Sequence, residues 1–336
     1  VSARWLSKAS LLADENRLRE VFLLLAEAHY QTRPSDYRQF LDDPRLRVAV
    51  LCEGTRVLAV GVVSVEGKLP KDIAGAIVSG SRRPQGHLLA QAMMQSVRDI
   101  DMAGLSIWRV ARIAVPQALR RHGYASRLMQ FLFNEAQAEG VDVLGSSFAL
   151  QSDSAAFWLR QGLRPVGIGL KADRASGAHS LMMAQALSAP AADYIPRLEQ
   201  LFSANWPHWK EDELRALDAA CRRQLDDMLL VSAPSLQGEL NASDMLRQDQ
   251  AFIHAFIDGE LDYERASPMI KRVFGANHLS PKAICELAPV LYARLYEGES
   301  WLSLSRRWPQ YSGRRALIQA IRGEMERLRG SGFGAF

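Results

Sequence analysis

The sequence predicts an α/β (α+β) fold, with a mixed, mostly antiparallel sheet flanked by helices and an all-α C-terminal domain after it. Up to about residue 188, short runs rich in β-branched residues alternate with stretches whose apolar residues recur at helical spacing. Beyond that point the strand patterns disappear and helical segments follow one another. Because 336 residues are many for one compact domain, we predict two, over residues 1–188 and 189–336.

The first predicted helix covers residues 14–31, with Asp14 as its N-cap and an apolar stripe that His29 continues. Pro34 breaks the helical pattern. His29 and Tyr30 therefore come at a helix end beside a turn, where side chains can face a cleft. A histidine on an apolar stripe also fits an ordinary packed residue, so both interpretations stay open.

Two strands are predicted over residues 47–53 and 57–66, joined at the hairpin signal around Gly54. Residues 73–78 form an apolar run that predicts a further strand. A basic loop follows, and its adjacent Arg82 and Arg83 precede a helix that begins near Leu88. Two arginines in such a loop can hold phosphate, or they can belong to a solvated turn.

Residues 106–137 read as a strand, a basic turn and a helix. Pro116 ends the β-branched run, and helical spacing begins after Gly123. A helix N-terminus offers unpaired N–H groups, and its dipole, with flanking arginines, favours an anion such as pyrophosphate. Gly123 lets the backbone approach that anion closely. A solvated connection is the alternative.

The remaining elements divide at about residue 190. Before it we predict a strand over 141–150, a short helix over 154–161 and strands over 163–170 and 180–186. After it we predict helical segments at 193–203, 211–231, 243–258, 281–296 and 311–328.

Composition narrows the class of protein. The net charge is +4, but arginines crowd the end of the chain, which suits a polyanion such as RNA or a solvated helix face: Arg306, Arg307, Arg314, Arg315, Arg322, Arg327 and Arg329. The three cysteines are isolated, so we expect neither disulfides nor a metal site. No apolar run reaches membrane-spanning length and residues 1–10 lack a signal-peptide core, so we expect a cytoplasmic protein without membrane contact.

The pattern Arg120-x-x-Gly123-x-Ala125 resembles the pyrophosphate-binding signature of the GCN5-related N-acetyltransferases, which use acetyl-CoA. Residues 156–163 resemble a later motif of the same superfamily. Many members have a tyrosine there that protonates the departing thiolate, where this chain has Trp158. An indole N–H cannot serve as that acid.

Three segments together resemble the tRNA(Met) cytidine acetyltransferase family, which makes N4-acetylcytidine: residues 29–36, 82–89, and 112–115 with 120–126. The resemblance implies a GCN5-related N-acetyltransferase fold over residues 1–188, a tRNA-binding tail over residues 189–336, acetyl-CoA as cofactor and the wobble cytidine of elongator tRNA-Met as target. Full-length members also carry an N-terminal ATP-dependent, helicase-like module. Because this chain has no G-x-x-x-x-G-K-[ST] phosphate loop, we expect it to be the C-terminal portion of a longer protein and ATP to act only through that missing module.

The resemblance also implies roles for particular residues. His29 is the candidate base, and Tyr30 is the nearest substitute for the missing acid. Arg82 and Arg83 are candidate substrate contacts. The implied acetyl-CoA contacts are Ile113, Ala114 and Val115 for the pantetheine, then Arg120, Arg121, His122, Gly123, Tyr124, Ala125 and Ser126 for the pyrophosphate, with Arg160 as a further contact.

Two other functions stay open. A small-amine or protein N-acetyltransferase with a helical partner domain would need an acidic cleft for cationic amines, which the Arg82-Arg83 loop argues against. A non-catalytic acetyl-CoA-binding or RNA-binding module is slightly favoured by Trp158, whereas the intact pyrophosphate turn argues against it.

Overall fold

The structure is a computed structural model that describes residues 1–27, 40–151, 154–174, 176–232, 242–277 and 280–330. Its single sheet has the strand order β1-β2-β3-β4-β5-β7-β6. Neighbouring strands are antiparallel except β4 and β5, which are parallel. The strands are β1 Ser2–Leu6, β2 Leu46–Glu53, β3 Arg56–Gly67, β4 Ser106–Ala114, β5 Val143–Ala149, β6 Arg164–Ile168 and β7 Ser180–Ala186.

Helices flank the sheet and then fill the rest of the described chain. Those before residue 188 are α1 Lys8–Ala13, α2 Glu15–Glu27, α3 Lys71–Val78, α4 Leu88–Val97, α5 Tyr124–Ala138 and α6 Ser154–Arg160. Those after it are α7 Ala189–Glu211, α8 Ala219–Ser232, α9 Ala242–Ile257, α10 Tyr263–Ala276, α11 Pro281–Leu287, α12 Pro289–Leu295, α13 Trp301–Arg307 and α14 Arg314–Gly330. The predicted fold class is confirmed. None of the described helices is long and apolar enough to cross a membrane.

The two faces of the sheet carry different helices. On what we call the first face, Val60, Val62 and Ala114 pack in one apolar core with α1 and α2. On the second face, a Cβ added to Gly61 would lie 3.3 Å from Leu128 of α5, so that helix packs closely over the sheet. Each face is therefore covered by its own helices, and residues that alternate along a strand point to opposite sides.

β4 and β5 pair over only part of their length. Their parallel pairing runs from Ile107 with Val143 to Val110 with Ser146, although β4 continues to Ala114 and β5 to Ala149. On the other edge of β4, Val62 faces Arg112 and Val63 faces Val110, which leaves Ala111 as a bulge residue. A bulge bends and twists its strand, so the ends of β4 and β5 part.

Three differences from the predicted elements have local causes. Residues 71–78 form helix α3 rather than a strand, since Ala74 and Ile77 are buried at helical spacing. Strand β1 was not predicted. Helix α10 was not predicted either, because Pro268 signals a break. The carbonyl of Glu264, which Pro268 cannot pair, accepts the indole N–H of Trp209 at 2.8 Å.

The chain separates into two compact units. One comprises Val1–Ile77, Arg83–Phe202 and Asp218–Gln237, and the other comprises Val78–Arg82, Ser203–Leu217 and Gly238–Phe336. The division therefore does not fall at residue 188. Much of α7 and all of α8 group with the sheet, where α8 packs on β6 and Glu199 of α7 forms an ion pair with Arg164 at 3.5 Å.

The second unit contains a buried ionic cluster. Arg294 holds both carboxylate oxygens of Asp212, at 2.7 and 2.8 Å, and lies 3.7 Å from Glu213. Only 6% of the Glu213 side chain is exposed, and neither carboxylate oxygen has a hydrogen-bond partner among the described residues. Burial and the Asp212 carboxylate raise the pKa of Glu213 to about 8, while burial lowers the pKa of His208 to about 4.

This cluster predicts a specific pH dependence of stability. Between its ordinary pKa of 4.5 and about 8, Glu213 keeps its proton in the folded protein and loses it on unfolding. Stability from this group must therefore fall as pH rises through that window. Urea unfolding at a series of pH values should show that the Glu213→Gln variant lacks this fall.

The comparison needs a control because neutral His208 acts in the opposite direction, with stability rising from about pH 4 to its ordinary pKa of 6.5. Glu211→Gln makes the same charge change at an exposed position at the end of α7. It should keep the wild-type pH profile. Identical profiles for Glu213→Gln and wild type would contradict the assigned protonation state.

Candidate functional site

A cavity of about 480 Å³ opens where β4 ends and α5 begins. This volume is within the range of small-molecule binding sites. Its lining combines the end of β4, the turn that follows it, the first turn of α5 and the side of α6: Ile113, Val115, Leu119, Arg120, Arg121, Gly123, Tyr124, Ala125, Ser126, Phe157 and Arg160.

The turn before α5 is shaped by its local sequence. Pro116 ends β4, and Gln117–Leu119 form a single 3-10 turn. Arg121 and Gly123 then adopt the left-handed region, with φ of 66° and 80°. Gly123 meets this requirement without strain because it has no Cβ. The chain is thereby reversed into the first turn of α5.

The N-terminus of α5 is open to a ligand. Gly123 is the N-cap and supplies no capping side chain. Among the described residues, no acceptor takes the backbone N–H groups of Tyr124, Ala125 and Ser126. Unpaired N–H groups at the positive end of a 15-residue helix form a site for an anion.

Three arginines place positive charge around the same helix end. Arg120 and Arg121 come from the turn itself, and Arg160 comes from the last turn of α6. The two helices are joined here, since Gln161 Nε2 donates to Ser126 Oγ at 3.1 Å. Like charges this close are unfavourable unless an anion binds between them. The charge distribution therefore favours a ligand with more than one negative charge.

The cavity also has an apolar side, formed by Ile113, Val115, Leu119 and Phe157. An elongated ligand with an anionic group and a less polar arm fits both parts. The cavity lining thus suits a nucleotide-linked thioester such as acetyl-CoA better than a simple inorganic anion.

The structure brings together most, but not all, of the predicted cofactor residues. Ala114 does not line the cavity, because its side chain is buried on the first face. His122 is exposed, with Nδ1 2.8 Å from the Arg120 carbonyl, and its ring stacks on Tyr124 at 6.2 Å. Arg82 and Arg83 are exposed in the loop between α3 and α4. His29 and Tyr30 lie outside the described residues.

Two lining residues were missed by sequence reasoning, Leu119 and Phe157. Phe157 precedes Arg160 by three residues on α6, so helical spacing alone could have placed both side chains on one face. Trp158 points elsewhere. Its side chain is buried, and its ring stacks on Phe148 at 5.6 Å, so it contributes packing to the wall behind the cavity.

One group in the second unit has metal-ligand chemistry. His208, Asp212 and Glu213 place one ligand atom each within 4.8 Å of one another. However, the guanidinium of Arg294 already holds both oxygens of Asp212, and His208 Nε2 lies 3.0 Å from Ser267 Oγ. These contacts describe an ion-paired structural cluster.

Comparison with known proteins identifies relatives of the chain. The family model described as GNAT acetyltransferase 2 matches residues 20–135. The tRNA(Met) cytidine acetyltransferase TmcA of Nitrosococcus halophilus is 32% identical over 96% of this chain and 42% of its own length. The TmcA of Vibrio cholerae is 29% identical over 95% and 42%, and that of Haloferax volcanii is 35% identical over 66% and 29%.

The chain spans less than half the length of these relatives. The matched region nevertheless includes the strand, turn and helix that form the cavity. The sequence similarity extends through the helical region as well, since the first two relatives match nearly the whole chain. From these matches and the fold, the chain belongs to the tRNA(Met) cytidine acetyltransferase family within the GCN5-related N-acetyltransferase superfamily.

Proposed function

We propose that the chain transfers an acetyl group from acetyl-CoA to N4 of a cytidine in tRNA, the wobble cytidine of elongator tRNA-Met. In this proposal an ATP-dependent, helicase-like module elsewhere in a longer protein supplies ATP use. The observation that carries the proposal is the open N-terminus of α5, ringed by Arg120, Arg121 and Arg160 at the parted ends of β4 and β5. The relatives' name supplies the acceptor.

Acetyl-CoA fits the two sides of the cavity. Its pyrophosphate would accept the N–H groups of Tyr124, Ala125 and Ser126, with the arginines balancing its charge. Its pantetheine arm would run along Ile113 and Val115 towards the gap between β4 and β5. Backbone groups at the parted strand edge would then be near the thioester carbonyl, where they can stabilise developing negative charge.

The chain's remaining task is to orient a weak nucleophile and accept its proton. The lone pair of the cytosine N4 amine is delocalised into the ring, so proton removal during attack matters. His29 is the proposed acceptor, since imidazole titrates near neutral pH. Trp158 is buried and cannot protonate the leaving thiolate, so Tyr30 or solvent water takes that role.

The cofactor site is tested by Gly123→Glu. A carboxylate at this position would face the pyrophosphate, and acetyl-CoA affinity should fall on the order of a hundredfold or more by charge repulsion. Calorimetric titration with acetyl-CoA measures the loss.

Gly140→Glu is the matched control for backbone strain. Gly140 also has a positive φ, 65°, and a Cβ there would likewise meet nothing within 4 Å. This variant should bind acetyl-CoA as wild type does. Unchanged affinity in a folded Gly123→Glu protein would remove the assignment of the site.

The tail arginines are tested as phosphate contacts. Arg307 pairs with Glu297 and Glu299, and Arg314 pairs with Glu264. Arg306, Arg315 and Arg327 are exposed and form no recorded ion pair within the described part of the tail. Changing these last three to Gln should weaken tRNA binding at low salt and reduce the slope of log affinity against log salt by about 2 to 3.

Point variants are preferable to truncation here, because cutting the chain at residue 190 would remove α8 and much of α7 from the unit that contains the sheet. The control is Arg307→Gln, which removes a charge that two carboxylates already balance. It should change the salt slope much less. A triple variant with wild-type tRNA affinity and slope would contradict the tail assignment.

His29 is tested as the proton acceptor. His29→Ala should lower the acetylation rate on the order of a hundredfold or more, with acetyl-CoA affinity and folding little changed. His29→Gln keeps size and polarity but cannot accept the proton. Single-turnover assays with labelled acetyl-CoA compare the two, and a fully active His29→Gln protein would rule out the catalytic role.

A further inference from the structure

Arg112 occupies the opposite side of β4 from the cavity. In the register of β3 with β4, Ile113 is opposite Gly61 and Arg112 is opposite Val62. Gly61 faces α5 on the second face, whereas Val62 lies in the core of the first face. Because partners across a ladder point the same way, Ile113 faces the cavity and the half-buried Arg112 faces away from it.

The parted end of β5 shows the same alternation. A Cβ on Gly145 would lie 2.5 Å from Leu89 of α4, so Gly145 and the half-buried Ser147 belong to the first face. Phe148 turns to the second face, where it stacks on Trp158. The gap between the two strands therefore has the cavity on one side and two polar side chains, Arg112 and Ser147, on the other.

The first face is also the side from which the candidate base leaves. Helix α2 packs there, in the core that includes Ala114, and ends at Glu27, two residues before His29. An acceptor that reached the gap from this face would meet a thioester held on the second face. Two reactants on opposite sides of one opening need no further space in the cavity itself.

Arg112 differs from the other β4 arginine on this face. Arg109 Nε donates to Glu66 at 2.6 Å, and the fully buried Glu66 carboxylate also accepts the N–H groups of Leu89 and Ala90 at the start of α4. Arg109 is thus fixed in a structural ion pair. Arg112 comes three residues later, beyond the last paired residue of β4 and β5, with a fork of five N–H donors that one partner cannot exhaust.

We propose that Arg112 binds the acceptor cytosine through ring N3 and carbonyl O2, and so turns N4 towards the thioester; this inference rests on the proposed function. N3 and O2 are adjacent acceptors, and a planar guanidinium fork matches such a pair in bidentate geometry. N4 is the next substituent on the ring, so the contact leaves it free to react. Arg112 takes no proton and acts by orientation and selection.

The same contact gives base selectivity. Uracil presents an N3–H donor, which would oppose the guanidinium donors, and it has no amine at position 4. A site that hydrogen-bonds one pattern rejects the other because its buried donors are then left unpaired. The half-buried position of Arg112 strengthens this penalty compared with a fully solvated arginine.

The test is Arg112→Gln, assayed in single turnover with an RNA hairpin that presents the target cytidine in its loop. Acetylation efficiency should fall about 10- to 100-fold, the range for loss of a bidentate base contact, while acetyl-CoA affinity stays at the wild-type value. Arg56→Gln makes the same charge change at an exposed position on β3 and should leave the rate unchanged. Arg112→Lys, which keeps the charge without the fork, covers the case in which Arg112→Gln fails to fold and should also be impaired.

A hairpin with 3-deazacytidine at the target position supplies the specific readout, because this base lacks the N3 acceptor. If Arg112 contacts N3, the effects of the variant and the analogue should overlap, so the variant loses much less on the analogue than on cytidine. Equal losses on both substrates, or a wild-type rate for Arg112→Gln on cytidine, would overturn the inference while leaving the proposed function intact. A wild-type protein that binds acetyl-CoA but acetylates only amines or proteins would overturn both.

Discussion

The partial pairing of β4 with β5 is the constraint on which the site depends. These are the only parallel neighbours in the described sheet, and a parallel pair needs a crossover connection, which α5 provides. The crossover places the N-terminus of α5 just beyond the end of β4. The bulge at Ala111 turns β4 away at the same level. The positive end of a helix and an opening in the sheet therefore coincide, and an anionic ligand held by the first can extend an arm into the second.

The site and the second unit treat charge in opposite ways. Around the cavity, Arg120, Arg121 and Arg160 lie near a positive helix end, an arrangement that a bound anion stabilises. In the second unit, buried charges are balanced within the protein. Glu324, for example, accepts the N–H groups of Val290 and Leu291 at the start of α12. Uncompensated positive charge marks a place for a ligand, whereas compensated charge contributes to the fold.

Sequence patterns predicted elements well where apolar periodicity and turn residues agreed. The hairpin of β2 and β3 and strand β7 follow their patterns closely, since each ends at clear turn residues. The pattern was misleading at residues 71–78, where a short apolar run fits a strand or a buried helix equally well. It was also misleading at Pro268, where a distant indole N–H takes the place of the missing backbone donor. In both cases long-range packing outweighed the local preference.

By itself the sequence determined the anion-binding turn, because Pro116, Gly123 and the change from strand to helical spacing act through neighbouring backbone atoms. Only the tertiary structure decided which distant side chains join that turn, Phe157 and Arg160 among them, since their position depends on how α6 packs. It also divided the tail arginines into paired and unpaired groups, as the partners of Arg314 and Arg307 come from other helices and loops. Finally, the ladder register gave Arg112 and Ile113 opposite faces. A one-residue change of register would exchange them, and no local pattern in the sequence specifies that register.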